Sequence, residues 1–130
     1  MGLLTPCTDA SLKSDTLSTN QQLDTVLKDM AEFSAVYAGP HDRTNPYLSP
    51  VYGDYSKGYP PTFLQTGTRD LLLSDTVRLH RAMRRSGIQA ELHVWEAMPH
   101  GGFGGAAPED EELTAELRDF FERHWGKPRA

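Results

Sequence analysis

Short apolar or β-branched runs alternate along this chain with stretches whose apolar residues recur every three or four positions, a pattern that predicts α/β units. Strands of a parallel sheet are covered by helices on both faces, so they read as continuous runs. Residues 2–5 form a very short run ended by Pro6, and the Ser-, Thr- and Asp-rich residues 7–20 read as a loop. Across residues 22–37, Leu23, Val26, Leu27, Met30, Phe33 and Tyr37 fall on one helical stripe, which predicts one helix or two short ones. Residues 39–61 are rich in Pro, Gly and Tyr and keep no period, so they read as a long irregular connection.

The second half is more regular. Thr62-Phe63-Leu64-Gln65-Thr66 follows Pro60-Pro61 and precedes Gly67, as a strand does. Ser74 is a good N-cap for a helix to about Ser86, with Thr76, Leu79 and Met83 on its inner face and Gly87 as its stop. Residues 90–96 alternate more than a fully buried strand would. They predict a strand near the sheet edge, with Leu92 and Val94 inward and His93 outward. Pro108 opens a last helix whose first turn carries Glu109, Asp110, Glu111 and Glu112, a placement the helix dipole favours. Its buried stripe is Leu113, Leu117, Phe120 and Phe121.

A chain of 130 residues suits one small domain. The formal charge of −5 argues against nucleic acid, whose phosphates require clustered Lys and Arg. Arg78, Arg81, Arg84 and Arg85 are read as the solvated outer face of one helix. Cys7 is the only cysteine, so no internal disulfide can form and a reduced, cytoplasmic setting is expected. No segment has the composition of a signal peptide or a membrane span. No histidine or carboxylate set has metal-ligand spacing, so neither a metal nor another cofactor is expected.

Candidate chemistry lies in two loops. In a parallel sheet the carboxyl ends of the strands open on one crevice. Gly67-Thr68-Arg69-Asp70 follows one predicted strand, and Met98-Pro99-His100-Gly101-Gly102 follows the next. A carboxylate and an imidazole on neighbouring strand ends can meet as a base and its orienting acid, so Asp70 and His100 are the candidate catalytic pair. Their order, acid before histidine, is that of α/β hydrolases.

The stretch from Pro60 to Phe103 resembles the C-terminal part of bacterial hormone-sensitive-lipase-like esterases of the α/β-hydrolase superfamily. There a strand ends in a Gly-x-x-Asp-x-Leu turn, a helix and a Gly follow, and the next strand ends in Met-Pro-His-Gly. This chain has Gly67-Thr68-Arg69-Asp70-Leu71-Leu72, then Gly87, then Met98-Pro99-His100-Gly101. Leu4-Thr5-Pro6, Ser49-Pro50 and Pro60-Pro61 extend the match to nearly the whole chain. The doubled Gly101-Gly102 departs from many members, which have a single Gly.

The resemblance implies a partial α/β-hydrolase fold, the C-terminal portion of one domain over residues 1–130, with about three parallel strands and flanking helices. It also implies a Ser-His-Asp mechanism on a small ester. The family's His-Gly-Gly-Gly loop and Gly-x-Ser-x-Gly elbow are absent from these 130 residues. The expectation is therefore a hydrolase portion supplying Asp70 and His100, inactive alone and associating with a missing N-terminal half or with itself. The alternative is a non-catalytic binding or assembly module that keeps half of the fold. Cys7 is read as a packing residue rather than a substitute nucleophile. Tyr47, Tyr52, Tyr55 and Tyr59 are candidates either for an acyl or alcohol pocket or for a cover over the sheet edge.

Overall fold

Three parallel strands lie side by side in chain order: β1 (Gly2–Leu4), β2 (Thr62–Gly67) and β3 (Ala90–Trp95). The computed structural model describes residues 1–125. Between the strands run α1 (Thr16–Thr19), α2 (Ala31–Ala38) and α3 (Leu73–Arg85), and α4 (Pro108–His124) follows β3. This is an α/β fold with flanking helices, as the alternation of patterns predicts.

Side chains alternate along a strand, so each helix receives one face of the central strand. Leu64 pairs in register with Leu3 and Leu92. With Leu79 and Met83 of α3, Ile88, Ala90 and Tyr55 it forms one core. Phe63 points the other way and packs with Leu113 and Phe120 of α4, flanked by Trp95, Leu117 and Phe121. The last helix thus buries the stripe that its sequence predicts. A third cluster joins Leu71 and Leu72, just after β2, to Met30, with Leu12, Leu17 and Leu27 against it.

The structure departs from the predicted pattern in several places. Of residues 22–37, expected to form one helix or two short ones, only 31–37 are helical, within α2, and a short α1 stands where a loop is expected. The cause is Asp24, whose buried carboxylate takes the amides of Val26 and Leu27 and turns the chain before a helix can propagate. Leu23 and Val26 are then 48% and 57% exposed. Leu72, not Ser74, occupies the cap position of α3. Ser74 lies in the first turn and is tied to Thr16, whose hydroxyl accepts the Ser74 amide at 3.0 Å. On β3, Leu92 packs inward but Val94 is 45% exposed, because it stands outside the α3 core on an edge strand.

His93 is not turned to solvent. It stacks on Phe63 at 4.2 Å, and its Nδ1 lies 2.6 Å from Glu116 of α4. Arg78 also departs from the expected solvated face. Arg81, Arg84 and Arg85 are exposed, whereas Arg78 turns inward to Asp9 at 2.6 Å and to Ser14 at 3.0 Å. Tyr55 is buried against the α3 core, donates to the Pro50 carbonyl at 2.7 Å and packs edge-on with Tyr59. Tyr52 joins Ser11 and Asp9. The long irregular segment is therefore fastened over the sheet and α3, with Tyr47 left exposed.

Candidate active site

The turn after β2 and the loop after β3 meet at a glycine. A Cβ on Gly67 would lie 1.9 Å from the Met98 carbonyl oxygen, so only a residue without one lets the two chains touch. Around that contact, the Thr68 amide donates to the Trp95 carbonyl, the Arg69 amide to the Met98 carbonyl and the Ala97 amide to the Thr68 hydroxyl. The strand ends are stitched together before either candidate side chain is considered.

Asp70 and His100 come together there. The Asp70 carboxylate is fully buried, and its Oδ1 lies 3.2 Å from His100 Nδ1. Its other contacts are local: Thr66, near the end of β2, donates its hydroxyl to Oδ2 at 2.7 Å, and the Leu72 amide donates to Oδ1 at 2.9 Å. A buried carboxylate needs such donors to offset its lost hydration. An accepting oxygen beside Nδ1 favours the tautomer with the proton on that nitrogen, leaving Nε2 free to take one. The His100 side chain is 23% exposed, open to a groove lined by Thr25, Val26, Pro99 and Phe103.

The family described as alpha/beta hydrolase fold matches residues 1–104. This chain belongs to the α/β-hydrolase fold family. An esterase of Acinetobacter venetianus is 28% identical over 127 residues, covering 91% of this chain and 40% of that protein. Among solved structures, esterase E25 is 43% identical with a TM-score of 0.87, covering 95% of this chain and 39% of that one. A hormone-sensitive lipase from a metagenome library is 29% identical with a TM-score of 0.89, covering 95% and 43%. The chain thus spans less than half the length of these relatives.

Three groups that spacing and residue type do not single out support the α/β hydrolase's two loops. Asp110 is one. From the first turn of α4 its carboxylate accepts the amides of Phe103 and Gly105 at 2.9 Å each, organising the loop that follows His100. Gly102 sits at φ +98°, and a Cβ there would approach Asp110 Oδ1 to 2.8 Å, which accounts for the second glycine. Asp110 was legible only as an acidic residue near a helix start. Asn20 and Asp24 are the other two; both reach the turn of Asp70 from the segment after β1. Nothing in their spacing marks them, since they act on residues 47 to 50 positions away.

The remaining candidates stand apart from the pair. Cys7 reaches the surface beside Ala10, Met30, Phe33 and Tyr47, but packing around it and then the charge of Asp75 push its thiol up to about 11. A thiol so poised is protonated at neutral pH and a poor nucleophile. His80 bonds to the Ala90 carbonyl and His124 packs on Phe120. His41 is exposed. Among the described residues, no helix is long and apolar enough to cross a membrane.

Proposed function

We propose that this chain supplies the acid and the base of a serine carboxylic-ester hydrolase, with Asp70 orienting His100. The observation that carries the reading is the 3.2 Å contact between His100 Nδ1 and a carboxylate buried at the neighbouring strand end. In this mechanism His100 Nε2 takes the proton of a serine hydroxyl as its oxygen attacks the ester carbonyl. It then gives that proton to the departing alkoxide, and a water repeats the exchange on the acyl-enzyme. Asp70 holds the tautomer and stabilises the imidazolium.

The serine and the oxyanion donors come from a polypeptide outside these 130 residues, which carry neither motif. We place that partner at the outer edge of β1, which pairs with β2 on one side only among the described residues. Each oxyanion donor is typically worth about 2.7–4 kcal/mol. The chain alone is accordingly expected to cleave p-nitrophenyl esters no faster than buffer with matched imidazole. Mixing it with a polypeptide bearing His-Gly-Gly-Gly and Gly-x-Ser-x-Gly is expected to give hydrolysis that His100→Ala abolishes. A folded mixture that neither turns over nor reacts with a fluorophosphonate would favour the second reading, a non-catalytic assembly module. The absent elbow is the observation behind that alternative.

A further inference from the structure

We propose that Asp24 and Asn20 are positioning residues, holding Asp70 against His100 from the segment that follows β1; this rests on the acid-base reading of that pair. Asn20 Nδ2 donates to two carbonyls of the acid turn, Thr68 at 3.1 Å and Asp70 itself at 2.9 Å. Asp24 Oδ2 accepts the amide of Leu71, the next residue, at 2.7 Å. Thr16 adds a hydroxyl bond to the Leu71 carbonyl at 2.9 Å. The Thr68–Arg69, Asp70–Leu71 and Leu71–Leu72 peptide groups are therefore held by side chains from one distant segment.

The chemistry used here is more than packing requires. Leu71 and Leu72 already meet Met30, Leu17 and Leu27 in an apolar cluster, which anchors the segment without any charge. Yet Asp24 is fully buried, and its carboxylate accepts three backbone amides, those of Leu71, Val26 and Leu27. A buried carboxylate is costly unless each oxygen is met by donors. What this one provides is direction: its two oxygens fix the Leu71 amide relative to the turn at Val26 and Leu27. Thr25 and Val26 in that same turn line the groove at His100. One rigid segment thus borders both members of the pair.

The test follows the His100 Nδ1 proton by NMR in the full chain labelled with 15N-histidine, reading its exchange with water. Asp24→Asn sets an amide donor against backbone donors, and Asn20→Ser cannot reach both carbonyls. Each is expected to speed that exchange about tenfold or more, the ratio expected for losing one hydrogen bond to a charged group or two neutral ones. Asp9→Asn, which loosens the same segment at Arg78 instead, is expected to leave the rate unchanged.

Wild-type exchange in both Asp24→Asn and Asn20→Ser, with Asp70→Asn still losing the protected proton, overturns the positioning role and leaves the pair intact. Equal acceleration by Asp9→Asn also overturns it, as general loosening. Should Asp70→Asn leave the proton unaffected, the pair and the positioning role fall together. If Asp24→Asn does not fold, the exchange rate in Asn20→Ser alone decides between these outcomes.

Discussion

At Gly67 one missing carbon permits the contact on which the site depends. The Met98 carbonyl occupies the space that a Cβ would fill, so Gly67→Ala forces the turn after β2 away from the loop after β3. Overpacking of this kind typically costs about 1–3 kcal/mol and sometimes more. Gly67→Ala is therefore expected to lower the thermal midpoint and, even where the chain stays folded, to part His100 from Asp70. Loss of protection of the His100 Nδ1 proton would register that separation. Asp70 and His100 were legible because residue type and strand-end position coincide. Thr66, which donates to Asp70, was not, since a threonine inside a strand reads equally well as a β-former.

Among the elements, α3 is held to the segment after β1 by charge as well as by apolar packing. Asp75 in its first turn accepts the amides of Thr8 and Asp9 and the Ser14 hydroxyl. Burial outweighs these bonds and raises its pKa. For Asp9 the balance is reversed: burial opposes ionisation, but bonds from Ser11 and Arg78 prevail and hold it below the usual 3.8. A depressed carboxylate stabilises the fold above its unfolded value, and that contribution is lost as pH falls through the folded one.

Asp9→Asn is thus expected to cost about 2 kcal/mol at pH 7, the scale of a hydrogen bond to a charged group. The difference from wild type should shrink as pH falls below 4, measured by urea unfolding across pH. Asp75 has the opposite sign, its penalty easing on acidification; the Asp9 charge adds to that penalty, so Asp9→Asn relieves a small part of it and the difference from wild type is the net of the two effects. None of this was visible in the helical periodicity. Arg78 falls among other arginines at helix-surface spacing, and only the course of residues 9–14 turns it inward.

For the molecule as a whole, the telling feature is the side of β1 that pairs with no strand among the described residues. Leu4 is 49% exposed on a strand of three residues at the sheet margin. Unpaired strand edges recruit other strands. In the absence of the proposed nucleophile-bearing partner, the isolated chain is expected to self-associate through this edge. Leu4→Lys, a charge at the margin, should shift the mass measured by light scattering toward the monomer. An unchanged oligomer would move the contact elsewhere, to faces such as that of Phe33, Val36 and Tyr37.

By itself the amino-acid sequence determined the strands at 62–66 and 90–96 to within a residue or so, the helix after each, and the two loops that carry an acid and a histidine. Those are local matters of residue type, spacing and breaker position, written into neighbouring residues. Tertiary structure decided what depends on groups far apart in the chain: the turn at Asp24 that stops a helix, the inward course of Arg78, and the exposure of Val94. It also decided the hold of Asn20 and Asp24 on the acid turn, because a carboxylate ends where distant amides can repay its lost water, and no periodicity records where those amides lie.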